Sequence, residues 1–183
     1  YAADLAAYNN GVLHGVWIDA DTDVDVMQDE INAMLRKSPY PNVTVEDPET
    51  GKQVPSAEEW AMHDSEGLPK YFGEYSGLKA IAEYMELAEE QDTIANDNLR
   101  AIVDDYGSVE NARTALEDNF CGIYDSFKDY AEETADEQIN GLIKGDATEW
   151  LTRYFDYDAF ARDLEFEMHT IELPDGDVAV FYA

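Results

Sequence analysis

The sequence predicts an α+β fold in which strands bracket a helical middle. Three observations carry this. Asn9-Asn10-Gly11 lies between two apolar segments near the start, and Asp175-Gly176 between two more near the end. Asn-Gly or Asp-Gly so flanked is the strongest short-range signal for a β-hairpin. Between them, apolar residues recur three and four apart, the spacing of an amphipathic helix. Three small cores in series give an elongated chain with domains at 1–72, 73–106 and 107–183.

Ala2–Tyr8 and Val12–Asp19 read as the strands of the first hairpin, with Trp17 and Ile18 on the second. A helix follows over Val24–Lys37. Asp23 caps it, and Val24, Met27, Ile31, Met34 and Leu35 form its apolar stripe. Ser38–Pro55 holds Pro39, Pro41, Pro48 and Pro55 and reads as a loop, with Val43–Val45 a candidate edge strand. Glu59–Asp64 is a third strand, which completes a ββαβ module. Gly67–Gly73 reads as a linker to helices Ser76–Glu90 and Asp92–Tyr106, whose short connection makes them neighbours. In the first of these, Leu78, Ile81, Met85 and Ala88 face inward and Glu83, Glu86 and Glu90 outward. Ser108 caps a short helix, Ala115–Phe120 reads as a strand, and a helix opens at Ser126. Gly145 breaks the chain before a segment around Trp150, and Asp156 or Asp158 begins a helix with Phe160 and Leu164. Glu167–Leu173 and Asp177–Tyr182 form the closing hairpin.

On the helix after Ser126, Phe127, Tyr130, Ala131 and Thr134 make the buried face, and the rest is almost all carboxylate. Asp129, Glu133 and Glu137 stand four apart, as do Glu132 and Asp136. Like charges so spaced destabilise a helix by roughly 0.2–0.5 kcal/mol per pair. Lys128 is the single cation among them, so something other than helix stability has shaped this face. Gly122–Glu132 (GIYDSFKDYAE) also echoes Gly73–Glu83 (GEYSGLKAIAE): Gly, Tyr, Lys, Ala and Glu coincide, and Leu78 matches Phe127. This reads as a repeated strand–turn–helix unit, against chance similarity between two acidic amphipathic helices.

The 183 residues suit one domain or a few small ones. With 45% apolar residues and 22 aromatics, packed cores are expected. The 42 Asp and Glu against 11 Lys and Arg leave a net charge of −31. Such a surface repels nucleic acid and anionic membranes, both of which need basic patches, and favours a partner with a basic face. Cys121 is the lone cysteine, which excludes a disulfide framework and points to a reducing compartment. No apolar run approaches the length of a membrane span, and the opening YAADLAAYNN lacks a signal-peptide layout. The start at Tyr1 reads as the loss of a few leading residues, and a cytoplasmic location is expected.

No catalytic pattern emerges. His14, His63 and His169 fall on separate expected strands, outside any HExxH, GxSxG or Cys-His arrangement. Cys121 has no basic neighbour to activate it. No glycine-rich phosphate cradle is present, so neither enzyme activity nor a cofactor is expected. One calcium pattern needs weighing. Asp19, Asp21, Asp23 and Asp25 alternate, and Glu30 is twelfth from Asp19, as in an EF-hand. Val24, however, occupies the sixth position, where the turn needs Gly. The competing reading is a helix cap with acids favourably placed at a helix N-terminus.

The charge has three readings: a solvated face, adaptation to high salt, or imitation of polyphosphate. It exceeds what solubility needs. Duplex DNA carries one charge per about 1.7 Å, so 31 charges correspond to roughly 50 Å, or about sixteen base pairs. A groove built for DNA would release counterions on such a surface, and salt would weaken binding steeply.

AAYNNGVLHGVWIDA at 6–20, EEWAMHD at 58–64, FCGIYDSFKDYAEE at 120–133 and YFDYDAFARDL at 154–164 together resemble the ArdA antirestriction proteins carried by mobile elements. The resemblance covers nearly the whole chain, with the blocks in the family's order; the long Ser38–Pro55 loop departs from it. It implies an elongated, homodimeric DNA mimic of three small domains. Such a protein occupies the place of bent duplex in the methyltransferase core of type I restriction–modification enzymes, with no catalytic residues. It puts the partner-binding carboxylates on the outward faces of the helices: Glu83, Glu86, Glu90, Asp129, Glu132, Glu133, Asp136 and Glu137. Asp21, Asp23, Asp25, Asp29 and Glu30 extend the track, and the family's antirestriction motif falls within Asn119–Glu137. The apolar segment Val178–Tyr182 is either the dimer contact or an ordinary core strand.

Overall fold

Asp4 ends a strand and starts a helix, and this decides the shape of the N-terminal region. In the computed structural model β1 (Ala2–Asp4) runs directly into α1 (Leu5–Asn9). The Asp4 carboxylate accepts the Ala7 amide at 3.1 Å, as an N-cap does. The expected strand Ala2–Tyr8 is therefore cut short, and Asn9-Asn10-Gly11 closes a helix instead of a hairpin. Asn10 is the C-cap and Gly11 has φ +77°. Asn and Gly tolerate the left-handed geometry that ends helices as readily as that of a hairpin turn, so the dipeptide alone could not separate the two. The second strand, β2 (Gly15–Val16), still pairs antiparallel with β1, but Trp17 and Ile18 lie beyond it.

The structure describes residues 1–143 and 146–183, and the chain divides into two compact units, Tyr1–Asn96 and Asp97–Ala183. In the first, α2 (Val24–Leu35) starts at the Asp23 cap as expected and buries Met27, Ile31, Met34 and Leu35; Val24 is half-buried. The candidate edge strand Val43–Val45 is present as β3 (Val43–Glu46). The rest of the proline-rich stretch, expected as a loop, returns as β4 (Gln53–Ser56) to pair with it in a hairpin. Asp47 holds its turn by accepting the Thr50 amide and hydroxyl, both at 2.8 Å. The hydroxyl bond is the main reason its carboxyl titrates below the usual range. Pro55 is tolerated opposite Thr44 because a two-stranded sheet has only edge strands. β5 (Trp60–Met62) pairs with the other side of β1, giving the order β2-β1-β5. Within the expected linker, Pro69 and Phe72 are buried, Phe72 edge-on to Tyr84. α3 (Leu78–Glu90) packs on α2 and buries Leu78, Ile81, Ala82, Tyr84 and Leu87. The expected inward residues Met85 and Ala88 are only half-buried.

The second unit is built on α4 (Asn96–Tyr106) and α5 (Val109–Asp118), the latter capped by Ser108. The expected strand Ala115–Phe120 is mostly helix: Val109, Ala112, Ala115 and Leu116 continue the buried stripe of α5. The strand begins only at β6 (Phe120–Tyr124), which carries a bulge between Phe120 and Gly122. Then come α6 (Phe127–Leu142), α7 (Asp146–Tyr154) and α8 (Tyr157–Leu164), a 3₁₀ turn at Glu165–Glu167, and the hairpin β7 (Met168–Glu172) with β8 (Val178–Tyr182). The expected break at Gly145 lies outside the described residues. β8 is the central strand of the order β6-β8-β7, with Ala179, Val180 and Phe181 fully buried. Residues 179–181 thus belong to the core of their own unit, while Val178 is half-buried and Tyr182 exposed. The fold is α+β, with strands at both ends and helices between.

Candidate functional site

Acidity is shared evenly. Unit 1 has 20 acids against 5 Lys and Arg, and unit 2 has 22 against 6, for nets of −15 and −16. The thirteen carboxylates singled out from sequence are all exposed or half-exposed, but they do different things.

Around α2, Asp21 and Asp23 are engaged locally. Asp21 accepts the Asp23 amide at 2.8 Å, and Asp23 accepts that of Asp25 at 2.9 Å. Asp25, Asp29 and Glu30 are exposed on the helix. The EF-hand reading fails here on geometry. Val24–Glu30 is already helical, so its seven residues rise about 10 Å along an axis and cannot wrap an ion together with Asp19. No group of three His, Cys, Asp or Glu among the described residues could hold a metal.

The two copies of the repeat align at the start of their helices. Gly77 and Ser126 are the N-caps, and Leu78 and Phe127 are the first helical residues. Lys79 pairs with Glu83 at 3.2 Å, and Lys128 with Glu132 at 3.7 Å. Ile81 and Ala82 are buried like Tyr130 and Ala131. The preceding segments differ, since Gly122–Tyr124 lies in β6 whereas Gly73–Ser76 is a turn. What recurs is a way of starting a helix. The acids farther along α3, exposed Glu86 and Glu90, have no counterparts in α6 at the same offset.

On α6 the two expected rows part. Asp129, Glu133 and Glu137 run along the exposed side. Asp129 also accepts the Ser126 hydroxyl at 2.5 Å, while its amide donates to the same oxygen at 3.3 Å. Glu132 and Asp136 face α8. Lys128 reaches from α6 to Asp158 at 2.8 Å, and the Tyr157 hydroxyl donates to Asp136 at 2.5 Å. That hydrogen bond is the first cause holding the Tyr157 phenol up at about 12. The Lys128–Asp158 bond raises the lysine and lowers the carboxyl. Beneath α6, burial first and then the Cys121 side chain push the Tyr130 phenol well up, within a cluster that includes Met168 and Val180. Tyr124 is also raised, first by burial and next by Glu133. Asn119–Glu137 therefore spans β6, the Ser126 cap and the first turns of α6.

The histidines do not converge. His14 precedes β2, with Nε2 3.1 Å from the Met34 carbonyl, and His63 follows β5, 3.6 Å from Glu74. Only His169 lies within a strand, its Nε2 2.7 Å from Asp105. The Cys121 thiol lies 3.6 Å from the Asn119 carbonyl oxygen. Sequence reasoning missed Tyr157 as the partner of Asp136 and Asp158 as the partner of Lys128. Lys128, the lone cation in that stretch, was the available signal.

Residues 1–179 match the family model for the antirestriction protein ArdA. No curated protein matches the chain significantly. Among the described residues no helix is long and apolar enough to cross a membrane.

Proposed function

The chain belongs to the ArdA antirestriction family, and from that premise we propose that it inhibits type I restriction–modification enzymes by standing in for their DNA. It imitates the charge and shape of bent B-form duplex and occupies the DNA groove of the methyltransferase core. It does so stoichiometrically, as a homodimer in the cytoplasm and without catalysis. The observation that carries this is the even spread of acid: −15 and −16 on two units, with exposed carboxylates along α2, α3 and α6. A discrete site would concentrate charge, whereas a substitute for a polyanion must distribute it. The test is to titrate the protein into a type I enzyme and follow DNA cleavage at several DNA concentrations. Inhibition that saturates at a fixed ratio to enzyme and recedes as DNA is added is expected. Inhibition indifferent to DNA concentration would overturn the reading.

A further inference from the structure

Acids four apart on one helix repel, and those on two neighbouring helices repel as well. α6 and α8 pack together with Glu132 and Asp136 on one and Asp158 on the other. Apolar burial alone holds α8 weakly. None of its residues is fully buried, and Leu164 only partly joins the cluster around Tyr130. Two polar links cross the seam: Lys128 lies between Glu132 and Asp158, and the Tyr157 hydroxyl donates to Asp136.

Resting on the mimicry reading above, we propose that Lys128 and Tyr157 are positioning residues that clasp α8 to α6, so that carboxylates from both helices meet the partner as one face. The cation strengthens binding although its charge has the wrong sign for a basic groove. This separates the idea from simple charge counting. If only total charge mattered, Lys128→Gln would make the protein a tighter inhibitor. If Lys128 fixes where the acids of α8 stand, the same change releases α8 and fewer carboxylates reach the groove together.

The test uses the full chain, with inhibition of DNA cleavage by a type I enzyme read over a range of salt, and amide hydrogen exchange of α8. Lys128→Gln is expected to weaken inhibition roughly three- to tenfold, in the lower part of the range of coupling within a polar network because the pair is exposed. It should also flatten the salt dependence, because fewer counterions are released, and speed exchange over residues 157–164. Lys128→Arg, which keeps the charge, should restore all three. Tyr157→Phe removes one hydroxyl and no packing. It should act in the same direction, and it covers the case in which Lys128→Gln unfolds the unit. Undiminished or tighter inhibition by Lys128→Gln, or unchanged exchange in α8, would overturn the proposal while wild-type competition with DNA left the mimicry reading standing. Failure of the wild-type protein to compete with DNA would overturn both.

Discussion

Gly15 is held by a close approach. A Cβ there would lie 2.4 Å from the Ala2 carbonyl oxygen and 2.7 Å from the Tyr1 ring. The nearest atom is backbone in a paired strand and cannot step aside, so Gly15→Ala should destabilise by about 1–3 kcal/mol, as overpacking does. Urea unfolding followed by tryptophan fluorescence would measure it. Asp177 shows the opposite kind of strain. Burial first, then Asp175 and Asp125, raise its pKa above that of a free carboxyl. The folded state therefore binds this proton more tightly than the unfolded chain. Its contribution is favourable at low pH and is lost as pH rises through the folded value. Asp177→Asn should raise the melting temperature at pH 7, and the gain should vanish near pH 3, below the ordinary Asp range at about 3.9. A gain unchanged at acid pH would contradict the electrostatic cause.

At the scale of the element, the repeat supplies its own experiment. Ser126 caps α6 by accepting the Asp129 amide, while Gly77, its counterpart, offers α3 no side-chain acceptor. Gly77 has φ −73° and ψ 153°, which any residue adopts, and a Cβ there would meet nothing within 4 Å. Gly77→Ser should thus stabilise unit 1 by roughly 0.5–1 kcal/mol, through the new cap and a less flexible unfolded chain. Ser126→Ala should cost unit 2 about 1 kcal/mol. Thermal unfolding of the pair tests the equivalence directly. Elements were legible where a cap and a stripe agreed: Asp23 before Met27, Ile31 and Met34, and Ser126 before Tyr130 and Ala131. They were misread where one residue type serves two structures. Asp4 capped a helix inside an apparent strand, Asn10 and Gly11 ended that helix, and Pro55 sat in a strand with no second neighbour.

For the whole molecule, salt should act with opposite signs on folding and on binding. Each unit carries about half of the −31, so screening relieves self-repulsion, and the melting temperature should rise between low and moderate ionic strength. Inhibition should weaken over the same range because counterion release is lost. A common sign for both would argue against an acidic surface that binds through its charge. Single amide substitutions such as Glu133→Gln should have little effect. Changing Asp129, Glu133 and Glu137 together should visibly flatten the salt dependence of inhibition.

By itself, the sequence determined the α+β class, most helix starts, the closing hairpin, the family, and an acidity too large for solubility alone. These depend on composition and on spacing along the chain, which neighbours in sequence settle. Only the tertiary structure decided that Val178–Tyr182 is a central strand, that Ser38–Pro55 pairs with itself, and that Glu132 and Asp136 face α8 while Asp129, Glu133 and Glu137 face outward. Sequence spacing places a carboxylate on one side of its own helix. What stands opposite it is chosen by residues dozens of positions away, and here Tyr157 and Asp158 made that choice.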